Sequence, residues 1–325
     1  MMRIGLLGAS RVAVFAMIEP ATQLADVAIV AVAARDRTRA HDYAALHGIP
    51  RVHDTYESLV ADPDIDLVYI GTPPHAHCDQ AMMAIEAGKP VLVEKPFSFD
   101  TREASRVLAA ANLAGVHVFE AMHSPHHSLF KRVLAIIAEG RIGKVMSIDA
   151  EFSVPIAASH AEFRWDAALG GGALMDLGVY PLAWCRRIAG EAFVVEQASA
   201  DLRDGVDETF DAWLRFDTGV SARVRSSMMA DKPVARLVIR GSVGDLEVIN
   251  PLAPQLGHSL HLRISGALFT ETVDGVSTFE AQLIAVRDTV MFGKAFPFPP
   301  DDVVQSMRAI DRVRAAFGGQ FSALE

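Results

Sequence analysis

The feature that most constrains this chain is a rhythm in its first 120 residues, where short apolar runs alternate with segments of helical pattern. Arg3–Leu7, Val27–Ala33, Arg51–His53, Leu67–Ile70, Val91–Glu94 and Val116–Ala121 read as strands. Helical patterns fill Arg11–Leu24, Thr38–His47, Tyr56–Ala61, His77–Ala87 and Arg102–Ala114. Pro20 is expected to bend or end the first of these. Gly48 and Gly115 stand where a left-handed residue closes a helix. A run as uniformly apolar as Val27–Ala33 suits a strand buried on both faces. Repeated β-α units with short connections predict a parallel, doubly wound α/β sheet.

After residue 122 the rhythm changes. A helix is expected over Leu129–Glu139, then strands at Val145–Val154, Phe193–Ala200, Thr209–Phe216, Val220–Ser227, Arg236–Gly241, Asp245–Val248, His261–Ile264 and Phe269–Val273. Short turns such as Asp217-Thr218-Gly219 join several of them, as in an antiparallel sheet. Two helices, Thr278–Gly293 and Asp301–Phe317, follow. The expected organisation is a first domain over 1–121 and an α+β second domain over 122–325 with one large, open, mainly antiparallel sheet. The final helix, 301–317, is placed to dock back on the first domain. A chain of 325 residues is long enough for two such cores.

The chain has 30 basic and 40 acidic residues, a net charge of −10. That balance disfavours a nucleic-acid or anionic-membrane partner. No stretch of about 20 apolar residues offers a membrane span. Cys78 and Cys185 are the two cysteines, too few for a disulfide framework, so a reducing cytoplasm is expected. The chain enters a strand at once, so no secretory signal is expected.

Gly8-Ala9-Ser10-Arg11-Val12-Ala13 follows the first strand and opens the first helix, the context a dinucleotide fingerprint requires. Gly8 suits the tight turn, Ser10 is small enough to place its hydroxyl on a pyrophosphate, and Ala13 allows close helix–strand packing. With Arg11 and Val12 they form a candidate phosphate cradle at a helix N-terminus. The second strand ends Ala33-Ala34-Arg35-Asp36-Arg37. No carboxylate stands at Ala34. Arg35, with Arg37 as a second candidate, can pair with a 2′-phosphate, which favours NADP over NAD. Asp36 turned toward the ribose would instead select NAD.

Two further segments sit at carboxyl ends of strands, where ligands of doubly wound sheets bind. They are Gly71-Thr72-Pro73-Pro74-His75-Ala76-His77 and Glu94-Lys95-Pro96. A partly desolvated Lys95 beside a positive nicotinamide is expected to exchange a proton with a substrate hydroxyl. A third segment, Gly170–Pro181, carries Asp176 and Tyr180 four apart, on one face of a helical turn. Tyr180 can serve as proton donor and Asp176 can orient a substrate hydroxyl. Trp165 can stack on a ring.

These four segments, in this order, resemble the glucose–fructose oxidoreductase / inositol dehydrogenase (Gfo/Idh/MocA) family along the whole chain. Tyr180 is similar to the dihydrodiol dehydrogenase and sugar oxidoreductase branches. The resemblance implies a Rossmann domain over 1–121 and a substrate-binding and oligomerisation domain over 122–325. Its open sheet would pair copies into a homo-oligomer, a dimer in the simplest case. It implies that Lys95 is the catalytic lysine, with Asp176 on the substrate and Tyr180 beside it. Gly8, Ser10, Arg11, Val12, Arg35, Thr72, Pro73, His77, Glu94 and Lys95 would hold the cofactor. His77, His123, Trp165 and Asp176 would line the substrate. The expected reaction moves a hydride between NADP, or NAD, and a secondary or anomeric hydroxyl of a sugar or cyclic polyol. A trans-dihydrodiol of an aromatic ring is the alternative substrate. A non-catalytic dinucleotide sensor is the rival of another class, disfavoured by the proton-transfer set. The His123, His126, His127 cluster has no metal-fixing spacing, and no metal is expected.

Overall fold

The apolar runs of the first part become six parallel strands. They are β1 (Met2–Leu7), β2 (Val27–Ala33), β3 (Arg51–His53), β4 (Leu67–Ile70), β5 (Val91–Val93) and β6 (Val118–Glu120). Their order is β3-β2-β1-β4-β5-β6. All of β4 and β5 is buried, as strands covered on both faces must be. Met2, Ile4, Leu6, Leu67, Tyr69 and Leu92 form a core with Ala13 and Met17 of the first helix and Leu283 and Val286 of a helix far down the chain. Fully burying one such Leu or Ile contributes roughly 1.5–3 kcal/mol.

The strands end in step. Gly8 donates its N–H to Ala33, Gly71 to Leu7, Glu94 to Ile70 and Ala121 to Val93, at 2.7–3.0 Å. Each loop therefore leaves the same edge of the sheet as its neighbours. This is how Gly8, Thr72 and Lys95, separated in sequence, come to one edge.

The structure, a computed structural model, describes residues 1–159 and 162–317. By packing, the chain divides into two units. Among the described residues, one comprises Met1–His123 and Phe279–Met307, the other Ser124–Thr278 and residues 308–317.

The first helix differs from its expectation at Pro20. The chain is α-helical over Arg11–Ala13, widens to a π turn over Val14–Ile18 and returns to α over Glu19–Thr22. Pro20 thus lies in the first turn of the second α segment. A missing N–H costs least there, so the helix continues through it.

The second unit is built on eight strands: β7 (Val145–Ser153), β8 (Phe193–Arg203), β9 (Val206–Phe216), β10 (Ser221–Ser227), β11 (Val234–Gly241), β12 (Gly244–Ile249), β13 (Ser259–Ile264) and β14 (Ala267–Glu271). They run in the order β14-β13-β12-β11-β7-β10-β9-β8. Every pairing is antiparallel except β7 with β10. One face is apolar, with Ala150, Ala212, Ala222, Val224 and Leu237 all buried. The other carries paired charges: Arg223 on Asp211, Arg225 on Glu151 at 3.0 Å and Arg236 on Glu247 at 2.6 Å. The alternation follows from the two-residue period of a strand.

A π turn over Leu174–Gly178 and an α-helix over Val179–Ala189 pack on the apolar face. The glycine-rich segment is thus the start of a longer helix than the single turn its spacing predicts. Small alanines on the strands let it approach closely. Gly178 is needed there, since a Cβ would stand 2.5 Å from the Phe210 ring. Trp184 is fully buried and donates from Nε1 to Ser124 Oγ at 3.0 Å.

Candidate active site

The cofactor loop begins at Gly8, whose φ of 101° favours glycine. Ser10 has extended backbone and caps the helix, its Oγ accepting the Ala13 N–H at 3.3 Å. The hydroxyl expected on a pyrophosphate has its acceptor role in this local cap. A Cβ on Gly71 would stand 2.7 Å from Ser10 Oγ, so Gly71 lets the two loops touch. Arg11 is exposed and Val12 half-buried at the start of the helix.

Two residues the sequence reading missed grip this loop from the helix Arg37–His47. Arg39 donates from Nη2 to the Ala9 carbonyl at 2.8 Å, and the Tyr43 hydroxyl donates to the Ser10 carbonyl at 3.0 Å. Burial pushes the Tyr43 phenol up to about 12, so it stays a donor. The two stand four apart on one helical face, a signal that was present in the sequence but unused. With its carbonyls held, the turn keeps a fixed shape.

Arg35 is exposed at the end of β2. Asp36 accepts the Arg39 N–H at 3.2 Å and caps the helix, so its carboxylate is held by its own backbone. Arg37 pairs with Asp54 at 2.7 Å on the surface.

Lys95 is half-buried, and the chain on either side of it is anchored by buried polar groups. Before it, Glu94 accepts the Tyr69 hydroxyl at 2.8 Å and the Lys95 N–H at 3.2 Å. After it, the Pro96 carbonyl lies 2.9 Å from His77 Nδ1. The Phe97 N–H reaches Glu120 Oε1 at 3.1 Å, an oxygen that also takes the Ser306 hydroxyl at 3.2 Å. The Lys95–Pro96 bond is cis. Tyr69 and Glu120 were not read from the sequence as site residues.

Thr72 donates from Oγ1 to Gln80 at 2.7 Å, and Pro73 continues in extended backbone. His77 was expected to touch cofactor and substrate. It is instead 1% exposed, with Nε2 2.7 Å from the Thr72 carbonyl and Nδ1 on Pro96. The ring is a strut between two loops and offers no exposed nitrogen to a ligand. Burial brings its pKa down to about 4, against the opposing pull of the carbonyls. His123, also expected at the substrate, is buried and stacked on Phe279 with centroids 4.0 Å apart.

In the second unit the backbone folds Gly170–Gly172 tightly on the residues before it. Gly171 donates to the Asp166 carbonyl at 2.9 Å and Gly172 to the Arg164 carbonyl at 3.0 Å. The Arg164 side chain turns to Asp176, Nε to Oδ2 at 2.6 Å, and to Glu162 at 2.8 Å. Arg164 is a further residue unread in the sequence. Asp176 and Tyr180 are both buried, and Tyr180 packs edge-on against Phe152 at 5.5 Å. Trp165 is half-buried under the Arg203 guanidinium, 5.3 Å from its ring centroid. His127 caps the helix Ser128–Ala138, Nδ1 accepting the Leu129 N–H at 3.0 Å. Burial, then Arg187 and Lys131, takes His126 down to about 3. Among the described residues, no three His, Cys, Asp or Glu side chains stand together as a metal site.

Residues 2–122 match the model of an oxidoreductase family with an NAD-binding Rossmann fold, and residues 130–247 match the GFO/IDH/MocA C-terminal domain. A D-xylose 1-dehydrogenase (NADP(+)) of Haloferax volcanii is 32% identical over 317 residues, 96% of this chain and 96% of its own length. A trans-1,2-dihydrobenzene-1,2-diol dehydrogenase of Xenopus laevis is 34% identical over 225 residues, 69% of this chain and 67% of its own. A solved 3-ketoreductase from Actinomadura kijaniata, in complex with NADP and TDP-benzene, has a TM-score of 0.88 and 25% identity, covering 97% of this chain and 98% of its own.

Proposed function

The chain belongs to the Gfo/Idh/MocA family of NAD(P)-binding oxidoreductases, and from that premise we propose that it moves a hydride between NADP and a secondary or anomeric hydroxyl of a sugar or cyclic polyol. The observation that carries the reading is the anchoring of Lys95. Tyr69, Glu94, His77 and Glu120, all buried, fix the chain on both sides of one lysine. Such rigidity serves orientation, from which much of a hydride-transfer rate comes.

The residues fit a dinucleotide. Gly8 forms a cradle that a Cβ would crowd, 3.1 Å from Thr72 Cγ2. Ser10, Arg11 and Val12 would line the pyrophosphate at the helix N-terminus. Arg35 and Arg39 would hold a 2′-phosphate by charge-assisted bonds. Asp36 is engaged as the cap of its helix, which supports NADP over NAD. Thr72, Pro73 and Glu94 would border the nicotinamide end. When bound, the nicotinamide supplies or accepts the hydride.

Lys95 and Tyr180 take the hydroxyl proton in oxidation and return it in reduction. Asp176 accepts a neighbouring hydroxyl of the substrate and orients it. Trp165 offers a ring face. The match to a D-xylose dehydrogenase over 96% of the chain supports a sugar; the match to dihydrodiol dehydrogenases over 69% supports a second candidate, an aromatic trans-dihydrodiol.

The open face of the eight-stranded sheet, with its paired charges and Trp213 under Arg223 at 4.7 Å, supports pairing of two copies into a dimer. Both cysteines are free and buried, which supports a reducing, cytoplasmic setting. No helix among the described residues is long and apolar enough to cross a membrane.

The test is reduction of NADP by the purified protein with D-xylose, other aldoses and polyols, and a trans-dihydrodiol, alongside Lys95→Ala and Tyr180→Phe. Turnover lost in both variants, with NADPH still bound, is the expected result. Full activity in both would overturn the assignment of the proton to these residues.

A further inference from the structure

Asp207 is an acidic residue near the start of β9, 5% exposed. Its Oδ2 accepts the Leu174 N–H at 2.7 Å. Its Oδ1 fills the space beside Gly172, where a Cβ would overlap it. Gly172 has a φ of 121°. One carboxylate thus touches both ends of the bend that leads into the helix carrying Asp176 and Tyr180. The Asp176 N–H bonds back to the Gly172 carbonyl at 2.9 Å, which closes the turn.

A buried carboxylate is a costly anchor, and a hydroxyl would satisfy one N–H more cheaply. What a carboxylate adds is two acceptor oxygens in a fixed plane. Burial pushes its pKa up to about 7, against the opposing charge of Arg314. Arg314 in turn lies on Met175 Sδ at 2.7 Å, one residue before Asp176. The whole arrangement converges on the first turn of the helix.

We propose that Asp207 is a positioning residue for the substrate, fixing through Gly172 and Leu174 the helical turn that presents Asp176 and Tyr180. This rests on the reading that Asp176 and Tyr180 meet the substrate. Asp207 itself does not touch the reacting atoms.

The experiment compares Asp207→Ala, Asp207→Asn, Asp176→Asn and the double variant Asp176→Asn/Asp207→Ala. Two readouts are taken: amide hydrogen exchange over residues 172–180, and kcat and KM for the best substrate, with NADPH affinity alongside. Asp207→Ala is expected to lose protection at 172–180 while β9 and β10 keep theirs. Its KM should rise about tenfold or more, with NADPH affinity within about twofold of wild type. Asp207→Asn, which keeps one acceptor, should fall between. In the double variant the KM effects should be less than additive, because both act through one group. Unchanged exchange in both Asp207 variants overturns the proposal, whatever the substrate. So do additive KM effects, or a loss of NADPH affinity in step with KM. Should Asp207→Ala fail to fold, Asp207→Asn carries the same comparison. An Asp176→Asn enzyme with wild-type KM would instead sink the assignment of Asp176, while exchange would still decide what Asp207 anchors.

Discussion

The Tyr69 hydroxyl donates to the Glu94 carboxylate at 2.8 Å, and both groups are buried. Tyr69 is the third residue of β4 and Glu94 follows β5, so two neighbouring strands join at their carboxyl ends through side chains as well as backbone. The same carboxylate takes the Lys95 N–H. A phenol in the sheet core thereby sets the backbone of the lysine assigned to proton transfer.

Tyr69→Phe should keep the ring's packing and remove the hydroxyl that donates to Glu94. An acceptor left short of a donor in a buried site costs about 1–3 kcal/mol. We expect a lower melting temperature and kcat reduced by roughly tenfold, with NADPH affinity little changed. Unaltered kcat would mean that Lys95 is held without Glu94.

Arg39→Ala should discriminate between cofactors. Loss of a charge-assisted phosphate contact predicts NADPH affinity down by roughly tenfold and NADH affinity nearly unchanged. Fluorescence titration reads both. Equal weakening would show that Arg39 acts only as a brace on the Ala9 carbonyl.

Acid should destabilise the protein through its buried histidines. His77 is held to about 4 in the folded chain, against an ordinary value of 6.5, because burial disfavours the imidazolium. His126 is lower still, at about 3. The unfolded chain therefore binds protons first, so stability is full above about pH 6.5 and falls as pH drops toward 4. A shift of this size is worth on the order of 3 kcal/mol for His77. Asp207 works in the opposite direction, since its raised pKa loses stability as pH rises from about 4 toward 7. Urea midpoints of wild type and His77→Asn between about pH 7 and pH 5 separate the terms, and the variant should show a shallower acid slope.

Gly178→Ala should test how closely the helix rides on the sheet. Its Cβ would stand 2.5 Å from the Phe210 ring, and overpacking of this kind costs about 1–3 kcal/mol. Gly88→Ala makes the control, since a Cβ there meets nothing within 4 Å and only its φ of 71° opposes the change. A larger fall in melting temperature at position 88 than at 178 would refute the close-packing account.

Much of this architecture was legible in the sequence because its signals are local. Strands such as β2 and β4 are apolar along their whole length, and Gly71 directly follows β4. The Asp176–Tyr180 spacing likewise pointed to a helical turn. The residues that brace the site were not legible in the same way. Tyr69 meets Glu94 across 25 positions, Arg39 meets Ala9 across 30, and Phe97 meets Glu120 across 23. His77 and His123 are buried, which the sequence does not signal, for a related reason. A polar ring beside a functional motif looks available in sequence, whereas burial is decided by the chains that fold over it. Arg164 on Asp176 is a side-chain pairing no periodicity reveals.

The position of β7 in the second sheet has a consequence for how that sheet forms. The strands β8, β9 and β10 are one antiparallel run, and β11 to β14 are another. Each run can pair locally through short loops. They meet only through β7, which bonds β10 on one side, with Ser147 opposite Ser221, and β11 on the other, with Ile148 opposite Ile239. Pairings so distant along the chain carry the entropy of closing long loops before any contact compensates it. The pairings of β7 therefore carry the largest loop-closure entropy in this sheet. Substitutions that weaken the pairing of β7 with β10 and β11 should slow refolding.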